Sequence, residues 1–250
     1  MNKTITISET FIAPKLGADE AHVWHVNVEE NSGDELRWSQ LLSVDERQRA
    51  SRFRFPRDQR RFTITRAWLR ILLAGYLGSE AETLEFETAA HGKPRIAGKY
   101  ATSPLEFNVS HSDEVALFGL TLGRAIGVDV ERVRHDFEVA AIAKRFFSVA
   151  EQRAFGSLSP AHQHRAFFDC WTRKEAYVKA IGEGLSHPLH QFDVSLVPGE
   201  PAALVATRPD PMEAARWTMV GLELGKEYAA AVIVKAQHLQ IQCRELPSLA

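Results

Sequence analysis

Ile126-Gly127-Val128-Asp129-Val130-Glu131 and, further on, Trp171-Thr172-Arg173-Lys174-Glu175-Ala176-Tyr177-Val178-Lys179-Ala180-Ile181-Gly182-Glu183-Gly184-Leu185 are the pieces on which the reading of the chain turns. The first reads as a strand. Side chains alternate faces along a strand, so Asp129 and Glu131 point one way while Val128 and Val130 point the other. The second reads as a helix. Glu175 and Lys179 are one helical turn apart and share a face, and Gly182 and Gly184 supply the stop. Two carboxylates on a strand and a third on a helix make a set of hard oxygen ligands, the kind Mg²⁺ takes together with waters and substrate phosphates. Lys174 and Lys179 beside them would meet phosphate oxygens as point charges. Spacing alone leaves a second reading open, in which Asp129 and Glu131 are exposed strand-end acids and the lysines lie on a solvated helix face.

Outward from that stretch, the chain divides near Leu122 to Ala125. Before it, His22 to Val28 alternates as a half-buried strand, and Leu36 to Leu42 reads as a connection. Ser43-Val44-Asp45-Glu46 is a capping box that opens a helix carrying Arg47, Arg49, Arg52 and Arg54, which Pro56 ends. A second helix covers about Asp58 to Tyr76, with Phe62, Thr65, Leu69, Leu72, Leu73 and Tyr76 as its apolar stripe, Arg61 off it and Gly78 at its end. Leu84 to Thr88 is a strand, His91-Gly92-Lys93-Pro94-Arg95 a turn, Phe107 to His111 a strand running into a loop, and Val115 to Leu122 a strand. After the division, Val139 to Phe147 has helical spacing. Ser148-Val149-Ala150-Glu151 is a second capping box, and a long helix runs from about His164 to Ile181. Phe192 to Val197, Ala203 to Ala206, Trp217 to Leu222 and Tyr228 to Val234 read as strands of one antiparallel sheet. The last residues show no pattern. Helices and strands in both parts give an α+β class with two similar halves, 1–122 and 123–250.

Bulk properties narrow the function. A chain of 250 residues fits one large domain or two small ones. The net charge of −2 gives no general case for nucleic acid or a membrane surface, although nine arginines stand against one acid, Asp58, between Arg47 and Arg70. That run reads first as a solvated helix face and second as an anion site. Cys170 and Cys243 make no disulfide framework. The start of the chain lacks the apolar core of a signal peptide, and the longest apolar run, Tyr228 to Val234, is too short to cross a bilayer. A soluble cytoplasmic protein is expected. No phosphate-cradling glycine loop of the P-loop or dinucleotide type is present.

Taken together, Gly127-Val128-Asp129-Val130-Glu131 and Trp171-x-x-Lys174-Glu175-Ala176-x-x-Lys179-Ala180-x-Gly182-x-Gly184-Leu185 resemble the Sfp-type 4′-phosphopantetheinyl transferases. Gly92-Lys93-Pro94 and Asn108-x-Ser110-His111 agree in order and separation, and the likeness spans about Ser43 to Phe192. The resemblance implies two α+β halves related by a pseudo-two-fold axis, with the active site between them. It implies transfer of the phosphopantetheine arm of coenzyme A to a serine of an apo acyl or peptidyl carrier protein, with release of adenosine 3′,5′-bisphosphate. Mg²⁺ would be held by Asp129, Glu131 and Glu175. Lys179 would pair with the pyrophosphate. Arg61, Lys93, Ser110 and His111 would hold the adenosine end and its 3′-phosphate, with Arg49 at a position often basic in relatives and Glu46 where relatives often carry lysine. Glu175 is the candidate base for the serine proton, directly or through metal-bound water. A monomer is expected, since the halves supply both sides of the cleft. Two other readings compete. One is an Mg²⁺-dependent nucleotide pyrophosphate hydrolase, which would turn over coenzyme A without a carrier. The other is an arginine-rich nucleic-acid-binding module, against which near-neutral charge and sparse aromatic interleaving speak.

Overall fold

The computed structural model describes residues 11–31, 35–88, 92–208 and 210–248. The start of the chain and His91 lie outside the described residues. The first half contains β1 (Glu20–Asn27), α1 (Glu35–Gln40), α2 (Val44–Ala50), α3 (Pro56–Leu77), β2 (Glu85–Thr88), β3 (Pro94–Ala97), β4 (Leu105–Ser112) and β5 (Val115–Leu122). The second contains β6 (Ile126–Arg132), α4 (Val139–Phe146), α5 (Val149–Ser157), α6 (Pro160–Ile181), β7 (Phe192–Val194), β8 (Leu204–Thr207), β9 (Thr218–Gly221), β10 (Tyr228–Val234) and β11 (Gln240–Glu245).

The helix boundaries follow local chemistry. Ser43 and Ser148 each accept a hydrogen bond from the backbone N–H three residues on, and Glu46 and Glu151 reach back to the cap N–H. Both capping boxes thus satisfy two orphan donors. Pro56 and Pro160 occupy the first turns of α3 and α6, where a missing N–H costs nothing. The proline after the arginine-rich helix therefore starts α3; α2 has already stopped at Ala50. Leu36 to Leu42, read as a connection, contains most of the short helix α1, which buries Trp38.

Two sheets form the centre. One runs β11-β1-β5-β4 and the other β6-β10-β9. The outer face of the first carries Trp24, Val26, Phe118 and Leu120 into a core shared with Trp68 and Leu72 of α3. The outer face of the second sends Ala229, Ala231 and Ile233 into a core with Ala176 and Val178 of α6. Between the sheets, Ala21, Val23 and Leu117 meet Ile126, Val128, Val130, Val232 and Val234. Each fully buried Val, Ile or Leu there contributes about 1.5–3 kcal/mol, so this middle layer joins the halves. It also explains why β1, expected to be half-buried, is covered on both faces.

The four C-terminal strands do not share one sheet. β7 and β8 form a separate pair, while β9 and β10 join β6. The final residues, patternless in sequence, form β11, which returns to the first half and pairs in parallel with β1 from Glu20↔Gln240 to His25↔Glu245. β11 is an edge strand with mostly exposed side chains, so no buried face imposes alternation on its sequence, which is why it left no signal.

Candidate active site

The outer face of β6, turned toward α6, carries Gly127, Asp129 and Glu131, opposite the valines that fill the inter-sheet core. Helix α6 lies directly on that face at Gly127. A Cβ on Gly127 would overlap the Ala176 carbonyl oxygen and stand 2.7 Å from Ala180 N. Only glycine allows this approach. The close crossing brings Glu175 and Lys179 over Asp129. Gly182, at φ 74°, ends α6 and bonds back to Val178 O.

Asp129 is 3% exposed. Its Oδ1 accepts from Lys179 Nζ at 2.6 Å and from Ser110 Oγ at 2.8 Å. Lys179 Nζ also donates to Ser110 Oγ at 2.8 Å. Glu131 Oε2 accepts from Ser112 Oγ at 2.8 Å. Asp129 Oδ2 and Glu175 Oε1 are buried and have no hydrogen-bond partner among the described residues. Burial raises the pKa of Glu175 to about 7, helped by the negative charges of Asp129 and Glu131 and opposed by Lys179. Burial likewise raises Asp129, against the pull of Lys179, and raises Glu131 with the help of Asp129. The three acids therefore share one electrostatic neighbourhood. Among the described residues, however, no three His, Cys, Asp or Glu side chains are grouped as a ready metal cage; Asp129 is paired with Lys179 and Glu131 with Ser112.

The remaining predicted residues separate into those at this centre and those away from it. Ser110 is at it. His111 follows on β4 and keeps part of its surface exposed; the protein mass around it, then the charges of Lys179 and Arg61, keep its pKa below the usual histidine value. Arg49 also bears on His111, and its guanidinium sits 5.3 Å from the Phe62 ring centroid. Arg61 reaches the rim but is held by carboxylates: Nε is 3.1 Å from Glu29 Oε1 and Nη2 is 2.7 Å from Asp113 Oδ1. Lys93 Nζ donates to Lys179 O at 3.4 Å, and burial lowers its pKa.

Lys174 is a correction. Expected to hold cofactor, it is 0% exposed and points into the second half's core. Its Nζ lies 2.8 Å from Glu151 Oε1 and donates at 2.8 Å to both Leu189 O and Phe192 O. Lys174 and Glu175 are neighbours on α6, and successive helical residues differ by about 100° of rotation. When Glu175 faces β6, Lys174 must face elsewhere. Glu46, in turn, points inward: its Oε2 accepts from Arg70 Nε at 2.7 Å and its Oε1 pairs with Arg66. Two of the nine arginines are thereby structural.

Ser112 and Asp113 are site residues the sequence reading missed. Asp113 joins Arg61 of α3 to Arg132 at the end of β6. Ser112 shares the face of β4 with Ser110, two residues on; ending that strand at His111 hid the period-two signal. A cleft of about 660 Å³ opens on this side, lined by Arg61, Ser112, Asp113, Glu131, Arg132 and Arg134. A second, of about 530 Å³, lies on the other side, lined by Lys93, Arg95, Arg124, Ala180, Ile181 and Gly182 among others.

The sequence matches two family profiles, one per half. Residues 125–233 match the 4′-phosphopantetheinyl transferase superfamily, and residues 31–119 match the N-terminal part of 4′-phosphopantetheinyl transferase. The chain is 37% identical over 217 residues to the 4′-phosphopantetheinyl transferase HetI of Nostoc sp., covering 87% of this chain and 88% of that protein. It is 29% identical over 160 residues to the 4′-phosphopantetheinyl transferase Sfp of Bacillus subtilis, covering 64% and 69%. With a solved holo-[acyl-carrier-protein] synthase of Thermotoga maritima it shares 21% identity at a TM-score of 0.36, over 47% of this chain and 64% of that one. The extent of the likeness to the Nostoc protein, together with profile matches in both halves, decides the family: the chain belongs to the 4′-phosphopantetheinyl transferase superfamily, and its activity is phosphopantetheinyl transfer.

Proposed function

We propose that the chain moves the 4′-phosphopantetheine arm of coenzyme A to a serine of an apo acyl or peptidyl carrier protein, releasing adenosine 3′,5′-bisphosphate, with Mg²⁺ held by Asp129, Glu131 and Glu175. The observation that carries this reading is the pair of buried carboxylate oxygens, Asp129 Oδ2 and Glu175 Oε1, left without partners. A buried carboxylate oxygen without a partner is costly, and a hard divalent cation is the ligand that suits such oxygens. When bound, the ion would neutralise charge gathering on the adenosine 5′-phosphate as the bridging P–O bond of the pyrophosphate breaks and the arm's phosphorus passes to the serine oxygen.

The chain's own groups perform the rest. Lys179, poised over Asp129 and Ser110, supplies the cation nearest the phosphates. His111, Arg49, Lys93 and Arg61 hold the nucleotide end; for Arg61 this means exchanging a carboxylate partner for phosphate. The clefts on the Glu131 and Lys93 sides favour an elongated substrate laid across the centre. Glu175 is the base that takes the serine proton. The two halves are related by a pseudo-two-fold axis. In its support, α3 and α6 are each 22 residues long, each begin at proline and each end at a left-handed glycine. The free Cys170 and Cys243 favour a reducing cytoplasm, and the protein works as a monomer.

The test is direct. The protein is mixed with coenzyme A, Mg²⁺ and an apo carrier protein, and the carrier is weighed by intact mass spectrometry. A gain equal to phosphopantetheine, absent with Asp129→Ala, is the expected result. Consumption of coenzyme A without a carrier would instead identify a pyrophosphate hydrolase.

A further inference from the structure

The outer edges of the two sheets face each other along the site. β4 is the edge of the first sheet and β6 the edge of the second. No strand pairing joins them, yet the backbone N–H groups of β6 that point away from β10 are satisfied. Val128 N donates to Asn108 Oδ1 at 3.0 Å, Val130 N to Ser110 Oγ at 3.4 Å and Arg132 N to Ser112 Oγ at 3.1 Å. Alternate side chains of one strand thus replace the ladder for alternate residues of the other. At two rungs the same hydroxyl makes a second bond. Ser110 Oγ donates to Asp129 Oδ1 and Ser112 Oγ donates to Glu131 Oε2, each at 2.8 Å. At the third rung the strand carries Gly127, where α6 leaves no room for a side chain.

The repeat gives Ser112 a defined task. We propose that Ser112 is a positioning residue that holds the Glu131 carboxylate in place for the divalent ion, as Ser110 does for Asp129. This rests on the reading of Glu131 as a metal ligand. Ser112 donates the one side-chain hydrogen bond Glu131 receives among the described residues. Its oxygen is itself fixed by Arg132 N. The hydroxyl therefore sets where Glu131 points in relation to the strand that carries it. Groups that orient metal ligands change metal affinity without touching the metal.

Mn²⁺ binding to the purified full chain, followed through the electron paramagnetic resonance signal of free Mn²⁺, tests this without recourse to transfer activity. Ser112→Ala is expected to weaken Mn²⁺ binding about 10-fold, and Ser112→Thr, which keeps the hydroxyl, to stay close to wild type. In a Glu131→Gln background, Ser112→Ala is expected to cost nothing more, because its effect passes through Glu131. Thermal melts in EDTA establish that each variant is folded. Wild-type affinity in Ser112→Ala, or losses that multiply in the double variant, would overturn the proposal while leaving the metal reading standing. A wild-type chain that binds no Mn²⁺ would sink both.

Discussion

Glu175 has a carboxyl whose pKa is raised to about 7 by burial and by Asp129 and Glu131. An unfolded glutamate titrates near 4.3. Between those values the folded chain binds more protons than the unfolded chain, so stability falls as pH rises. In the metal-free protein this stabilisation is fully present below about pH 4.3 and is lost as pH climbs through about 7, by on the order of 2 kcal/mol after solvent screening. Urea unfolding in EDTA at pH 5.5 and 7.5 is expected to show the loss in wild type and a flatter profile in Glu175→Gln. Identical profiles would mean that Glu175 does not titrate in this range. Sequence could place Glu175 beside Lys179, because helical spacing is local information. It could not show which way Lys174 turns. That depended on Glu151, Leu189 and Phe192, which are brought together only by the tertiary fold.

At the level of elements, the contact between β6 and α6 makes the site. The strand alternation and the helix stop at Gly182 were both legible, because caps and periodicity are written within a few residues. The reason for Gly127 was not legible. Glycine inside a strand weakens it, and only the helix backbone lying against it explains its presence. Gly127→Ala places a methyl group against the Ala176 carbonyl, a backbone atom that cannot rotate aside. Overpacking of this kind costs about 1–3 kcal/mol, sometimes more. The expected outcome is a lowered urea midpoint together with a larger loss of transfer in the folded fraction, since moving α6 displaces both Glu175 and Lys179. A folded variant with wild-type turnover would show that the site tolerates a shift of that helix. The assembly of the strands was also beyond sequence: the segments of β7 to β10 all read as strands, and nothing within them states that they divide between two sheets.

Across the whole molecule, the division near residue 122 is a boundary in the chain but not in the core. The first sheet is finished by β11, which comes from the far end of the sequence. Leu246, just beyond it, is buried in the core of the first half. The inner face of that sheet is covered by Ile126, Val128 and Val130 from the second half. A fragment of residues 1–122 would therefore leave β1 as an open edge and expose Ala21, Val23 and Leu117 to water. Open hydrophobic edges pair with other chains, and uncovered apolar faces promote association. Expressed alone, residues 1–122 are expected to aggregate or to lack a cooperative thermal transition, whereas residues 1–122 and 123–250 produced together are expected to associate and melt as one unit. Circular dichroism melts with size-exclusion chromatography distinguish the two outcomes. A monomeric 1–122 fragment with a sharp transition of its own would mean that the inter-sheet layer and the returning strand contribute little, and that the cleft is formed by two independently stable domains.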